Sequence, residues 1–348
     1  MLDIAVAGGG PAGLATAILA ARAGREVTVF EPREGVIDKA CGEGLMPGAV
    51  TALHAMGVKP DVTHPFVGIR YVDGARMAEG RFAQGPGLGV RRTTLHRALR
   101  SRAEALGVAF RAARVDEVQP AHDHVQLCGE RARWLIAADG LYSPIRRGLG
   151  LERPNRRRKR MGLRRHFAQA PWSPFVEVYW SPDAEAYVTP VGPRQVGVAM
   201  LFAGEPLPEG RGAEGRFATL LQRFPVLAER LVGDPCTAVR GRGPFERRAK
   251  RRQVGRVLFV GDASGYLDPI TGEGIRLGIA TAEAAVACIA DARADRYERR
   301  WRAATWRYWT LTEGLLSLRD VPALRRLMVP FLRTVPGAFS TIVSLLAD

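Results

Sequence analysis

Three groups of residues in this chain have the types and spacing to handle a nucleotide. Gly8, Gly10 and Gly13 form a G-x-G-x-x-G run, "GGGPAG". Glu31 follows about 20 positions on, the separation at which an acidic residue meets a ribose. Gly8 permits a tight turn, Gly10 lets the backbone approach a pyrophosphate, and Gly13 lets a helix pack close to a strand. A carboxylate at Glu31 would accept hydrogen bonds from an adenosine ribose and disfavours a 2′-phosphate. The second group is Asp139-Gly140 with Ser143 and Arg146 behind it. It suits the edge of a phosphate, with an ordinary capped β-turn as the alternative. The third is "GDASGYLDPITGEGI", residues 261–275, where Asp262 stands by a glycine and Pro269, Gly272 and Gly274 shape a further turn.

The elements that must carry these residues are readable. "DIAVA" is a buried-strand run entering the first turn, "LATAILAARAG" is helical, and "EVTVFEP" is a second strand closing on Glu31. Strand, glycine turn, helix, strand is the context a dinucleotide site requires, and the helix start offers unpaired N–H groups to the pyrophosphate. "WLIAA" runs into Asp139, "RVLFV" runs into Gly261, and a helix follows Gly274. "GPGLG", residues 85–89, lacks a following strand–helix–strand unit, so a nicotinamide cofactor has no dinucleotide fold of its own. "MGLRRHF", "FVEVYW", "EAYVTPVG" and "QVGVAML" alternate as strands of an antiparallel sheet. His166 and Tyr187, on these strands, are candidate catalytic groups, each equally readable as structural. Residues 297–348 read as helix with breaks at Pro322, Pro330 and Pro336, apolar and basic together. That pattern fits a lid packed on the body or attachment to a membrane surface.

Composition bounds the answer. With 348 residues, 47% hydrophobic and 25% charged, the chain is an ordinary globular protein of about two domains. Cys41, Cys128, Cys236 and Cys288 are scattered, which argues against zinc or disulfides and fits a cytoplasmic protein. The start has no basic leader, and no apolar run reaches membrane-spanning length. The net charge of +16 concentrates in "RRRKRMGLRR", residues 156–165, and "RRAKRR", residues 247–252. These read as a solvated rim, or as a surface for an acidic carrier protein, an anionic membrane or a phosphorylated cofactor. No nucleic-acid-binding pattern accompanies the charge.

Taken together, G-x-G-x-x-G, the mid-chain "ADG" and "GDA…P…G-x-G" resemble the triple signature of the para-hydroxybenzoate-hydroxylase-like flavoproteins. These include aromatic hydroxylases, flavin halogenases and geranylgeranyl reductases. The resemblance implies an α/β fold: a Rossmann-like FAD-binding domain (1–60, 88–150 and 245–295) with an inserted antiparallel β-sheet domain (61–87 and 151–244). A C-terminal helical segment (296–348) follows. It implies FAD as cofactor and NAD(P)H as a transient reductant. Gly8, Gly10, Pro11, Ala12, Gly13, Glu31 and Pro32 would hold the ADP half, with Val115 beside it. Arg92 in "RRTTLHRAL" matches the R-x-x-L-x-x-x-L helix and would reach the pyrophosphate or ribityl chain. Asp139 would contact the cofactor region and Asp262 the ribityl hydroxyls. Pro269, Gly272, Glu273, Gly274 and Ile275 would lie at the flavin's pyrimidine edge, where a helix start stabilises the negative charge of the reduced ring.

Some residues depart from the hydroxylase pattern. "CGEGL", residues 41–45, is similar to the CGGGL of geranylgeranyl reductases. Cys41 stands where hydroxylases carry an arginine, and Lys39 would take over that charge. Only Tyr187 and Pro190 remain of the reductases' Y-x-W-x-F-P signature, and the halogenases' G-W-x-W-x-I-P is absent. The implied activity is NAD(P)H-driven monooxygenation of a hydrophobic or aromatic small molecule. Reduction of isoprenoid-type double bonds and action with a carrier protein are the alternatives.

Overall fold

Strands that are apolar on both sides belong in a sheet covered on both faces. In the computed structural model, which describes residues 1–153, 159–204 and 211–347, five strands lie parallel, four of them ending in buried runs and the edge strand Ala109–Arg111 mostly exposed. Their order is Val257–Phe259, Glu130–Ala137, Leu2–Ala7, Val27–Phe30 and Ala109–Arg111. Val6 sits opposite both Ile136 and Val29. The first three strands end level with one another: Ala138 N donates to Ala7 O (2.8 Å) and Val260 N to Ala137 O (3.0 Å). Three turns far apart in sequence therefore leave the sheet at one carboxyl edge, where open parallel sheets bind ligands.

Two helices, Pro11–Arg22 and Gly274–Ala290, pack together on one face of this sheet, burying Leu14, Ile18, Ile279 and Val286. Glycine is required where the turns meet. Gly8 has φ +107°, and a Cβ there would lie 2.5 Å from Ala138 O. Gly261 has φ +57°, and its Cβ would lie 2.7 Å from Ala12 Cβ. A side chain at either position would drive the first turn away from the other two.

A second sheet has seven strands, in the order Arg240–Arg242, Arg160–Phe167, Gln195–Ala203, Ala184–Gly192, Val176–Trp180, Gly68–Asp73 and Arg76–Arg81. Its pairings are antiparallel except that Val176–Trp180 runs parallel to Gly68–Asp73, a pairing the sequence pattern does not reveal. Val188, Val198, Met200 and Phe202 pack outward against Phe217, Leu220 and Leu227 of helices Arg211–Leu221 and Pro225–Arg230. Their strand neighbours Tyr187, Thr189, Ala199 and Leu201 face the other way, toward a cavity.

The chain ends in helices Tyr297–Asp320, Pro322–Thr334 and Pro336–Ala347. Pro330 lies inside a helix instead of breaking it. The last helix covers the outer strand of the second sheet: Arg81 N donates to Ser340 Oγ (3.3 Å) and Ala83 N to Ser344 Oγ (3.2 Å). A strand edge that would otherwise be open is closed this way.

Candidate active site

A cavity of ≈ 230 Å³ lies between the carboxyl edge of the parallel sheet and the inner face of the second sheet. Gly10, Pro11, Ala12 and Arg92 line one end. A Cβ on Gly10 would meet nothing nearer than Arg92 Nη2 at 4.0 Å, so this backbone borders open space. Helices Pro11–Arg22 and Gly274–Ala290 both start without a side-chain cap, leaving backbone N–H groups for a ligand. Arg92 is buried and its Nε has no partner. Lys39 and Arg242 also line this end, and Arg242 Nη2 stands 3.9 Å from Asp262 Oδ2. Burial, with Arg242, Arg33 and Arg92 nearby, lowers Lys39 to about 8. Uncapped helix starts, a bare glycine edge and a buried unsatisfied arginine fit the diphosphate of FAD.

Behind Gly10 the loop is clamped. Glu31 Oε2 accepts from Gly9 N (2.9 Å), and Glu31 pairs with Arg33 (2.7 Å). Burial alone would raise this carboxyl, but the hydrogen bonds from Arg33 and Gly9 outweigh it and hold it below the usual carboxylate range. His96 Nε2 lies 3.0 Å from Gly9 O, and burial keeps its pKa low. A neutral ring with Nε2–H donating satisfies that contact. His96 escaped sequence reasoning, although it stands four residues after Arg92 on the same helix face. Gly8, Gly13 and Glu31 sit behind the cavity lining; Pro32 is exposed, and Val115 packs in the core near Phe30.

The second turn is a brace. Asp139 is not part of the cavity lining: its Oδ2 accepts from Ser143 Oγ (2.8 Å) and Ile145 N (3.2 Å). Arg146 is fully buried and donates to Ala263 O and Leu141 O, both at 2.8 Å. Arg146 ties the second turn to the third, while the Asp139 hydrogen bonds stay within the second turn, as in the capped-turn reading, and Asp139 Oδ1 is buried without a partner. Only Gly140 and Leu141 of this turn reach the cavity with Ala138.

The third turn brings Asp262, Pro269, Gly272, Gly274 and Ile275 to the cavity. Tyr187 also lines it, with its hydroxyl donating to Ile270 O (3.2 Å) and its pKa pushed well up by burial. Glu273 takes the N-cap position of the following helix, outside the lining, and burial raises it to about 8. Asp268 Oδ1 accepts from Ile270 N (3.0 Å), and its carboxylate pairs with Arg160 (2.7 Å), which also pairs with Glu185 (2.9 Å). Tyr308 of the C-terminal helix accepts from Leu267 N and Asp268 N and donates to Asp268 O.

Cys41 lines the cavity, its Sγ accepts from Glu43 N (3.4 Å), and burial pushes the thiol up. His166 does not line it. Its Nε2 faces Glu43 Oε2 at 2.5 Å, and its Nδ1 lies 3.1 Å from Arg164 Nη1. The arginine can only donate, so the proton sits on Nε2 and points at Glu43. Glu43 itself is buried at φ +60° and accepts from Arg92 N (2.7 Å). It was missed in the sequence because "CGEGL" reads as a glycine turn whose middle residue is free.

The basic runs are less solvated than their composition implies. Arg160 and Arg164 are each 1% exposed and ion-paired; Arg156 to Arg158 lie outside the described residues. In the second run, Arg252 pairs with Glu298 (2.9 Å) and lies over Trp301, and Arg248 lies over Trp309. These arginines fasten the helix Tyr297–Asp320 to the body.

Residues 1–300 match the FAD binding domain family. The chain belongs to that family. Its resemblance to the para-hydroxybenzoate-hydroxylase-like flavoproteins holds, and it is an FAD-dependent oxidoreductase. A menaquinone reductase of Mycolicibacterium smegmatis is 27% identical over 332 residues, spanning 86% of this chain and 79% of that one. A 3-amino-4-hydroxybenzoate 2-monooxygenase of Streptomyces platensis is 32% identical over 171 residues, 43% of this chain and 42% of that one. Among solved structures, p-nitrophenol 4-monooxygenase of Pseudomonas putida superposes with a TM-score of 0.82 at 20% identity, covering 100% of this chain and 97% of that one. In this FAD-dependent oxidoreductase no single described helix is long and apolar enough to cross a membrane.

Proposed function

We propose that this flavoprotein is an NAD(P)H-driven monooxygenase acting on a hydrophobic or aromatic small molecule. The observation that carries this reading is the composition of the cavity. The turns suited to FAD form one side, while Ile69, Val176, Val178, Leu201, Phe245 and Leu315 supply carbon on the other. Two polar groups of that wall are spent: Tyr187 donates to Ile270 O, and Thr189 Oγ1 to Gly42 O (2.8 Å). Such a wall excludes water and selects an apolar ring or chain.

In this reading Gly10, Arg92 and the start of Pro11–Arg22 hold the diphosphate, and Asp262 holds the ribityl hydroxyls. The amides of Gly274 and Ile275 face the ring. When bound, FAD supplies hydride acceptance and the activation of dioxygen. Overall, substrate, O₂, NAD(P)H and one proton give oxygenated substrate, water and NAD(P)⁺. NAD(P)H would visit briefly and without a dinucleotide fold of its own, since the sequence holds no second G-x-G-x-x-G run in a strand–turn–helix–strand context.

A second reading, reduction of an isoprenoid-type double bond, is supported by the "CGEGL" loop. That loop sets Cys41 against the cavity, which Tyr187 also lines, and burial favours the protonated form of both. The menaquinone reductase likeness, which runs through both sheets, supports it too. An acidic carrier protein docking on residues 156–165 would have to use arginines other than Arg160 and Arg164. Turnover of quinones and phenols with NAD(P)H, with and without oxygen, separates the chemistries. Oxygenation requires O₂ and leaves one labelled oxygen atom in the product. Anaerobic turnover to a product carrying two extra hydrogens would overturn the first reading in favour of the second.

A further inference from the structure

The last two helices have an outer face that the body does not use. Val329, Leu332, Phe339 and Val343 point inward and are buried, and the Phe339 ring lies 4.8 Å from that of Tyr71. Leu324, Leu327 and Phe331, spaced three and four residues apart, stand on the opposite face, with Val335, Ile342 and Leu345 continuing it. Leu327 is 61% and Phe331 60% exposed, where an ordinary surface helix carries charge. Arg326 and Arg333 flank them in solvent, and residues 321–347 contain no Asp or Glu. An apolar strip with only positive flanks matches a helix lying in a membrane interface. There the apolar face enters the headgroup boundary and the cations meet anionic lipid.

We propose that residues 321–347 seat this protein on an anionic lipid bilayer. The two helices lie on the surface and do not cross it. Their axes differ by 110°, and spanning would pull Val329, Leu332, Phe339 and Val343 out of the core. A second copy of the chain is a poorer occupant, because a shared face would bring arginines together with no acid between them. The seat adjoins the cavity. Tyr71, which Phe339 covers, and Leu315 of the preceding helix both line its apolar wall. The docking claim does not rest on oxygenation or reduction.

The test is co-sedimentation of the FAD-loaded protein with vesicles of phosphatidylcholine alone, or with about one third phosphatidylglycerol. Binding should need the anionic lipid and weaken with salt. Leu327→Glu with Phe331→Glu should lower the bound fraction at least about tenfold. Arg326→Gln with Arg333→Gln should remove the salt dependence. All four positions are solvent-facing, so the flavin spectrum and Tm should not move. Three results would each overturn the proposal. One is wild type left in the supernatant with anionic vesicles, and another is equal binding of the double Glu variant. The third is a solution dimer that Leu327→Glu splits while vesicle binding is nil.

Discussion

Lys39 shares a half-buried corner with Arg92 and Arg242, and Asp262 is the carboxylate that faces them. Burial and its cationic neighbours bring it to about 8, so a diphosphate arriving there would favour the protonated form and take up a proton. FAD affinity should therefore fall as pH rises from about 7 to about 9, with proton uptake visible as buffer-dependent heats in calorimetry. Lys39→Met should abolish that dependence; buffer-independent heats in the wild type would take Lys39 off the diphosphate. Asp262→Ala should weaken FAD retention by the roughly 1.5–3 kcal/mol of a charge-assisted hydrogen bond, measured by reconstituting flavin-free protein. Unchanged retention would take Asp262 off the ribityl chain. Glu273 is shifted upward where Lys39 is shifted downward. Its carboxyl, raised by burial to about 8, keeps in the folded state a proton that the unfolded chain releases above its ordinary value of 4.5. Its contribution to stability therefore falls as pH climbs through that window. Glu273→Gln should raise Tm by about 5–6 °C above pH 8 and by no more than about 1 °C near pH 5. A rise equal at both pH values would mean that charge is not the cause.

At the scale of elements, the loop from Leu267 to Gly272 is held less by its own turn chemistry than by what surrounds it. Tyr308 satisfies two amides and a carbonyl, Tyr187 donates to Ile270 O, and Arg160 bridges Asp268 to Glu185. Removing one member of a buried ion cluster strands its partners. Arg160→Met should cost about 3–5 kcal/mol, with a smaller deficit at acid pH, where the stranded Asp268 carboxyl protonates; Glu185 keeps its pairing with Arg319. A loss that does not vary with pH would point to packing instead. Much of the neighbouring structure is legible in the sequence. The strand–turn–helix run at Gly8, the third turn after "RVLFV" and the alternation that turns Tyr187 inward all follow from local pattern. Arg160 is not legible in this way. Its run looks like solvated charge, and its partner Asp268 lies 108 residues away. His166 fails for the same reason, since the Glu43 that claims its ring comes from a loop 123 residues distant. Period and turn residues report local geometry; which buried charges meet depends on how the two sheets are brought together.

Across the whole molecule, the site belongs to no single segment. A Cβ on Gly261 or Gly278 would run into Ala12, Arg146 ties the second turn to the third, and the cavity wall comes from the second sheet and the helix Tyr297–Asp320. The basic side chains of residues 247–252 fasten that helix over the third turn, so the charge that looks like a binding surface serves partly as internal stapling. A ligand lying between the sheets must then stabilise both together. FAD at one hundred times its Kd adds about 2.7 kcal/mol to a state that alone binds it, a shift of roughly 4 °C for a chain of this size. Scanning calorimetry of flavin-free and FAD-loaded protein should show one transition in each case, displaced as a unit. Two transitions, of which FAD moves only the first, would mean that the second sheet unfolds separately from the cofactor and that the cavity is a contact between independent parts.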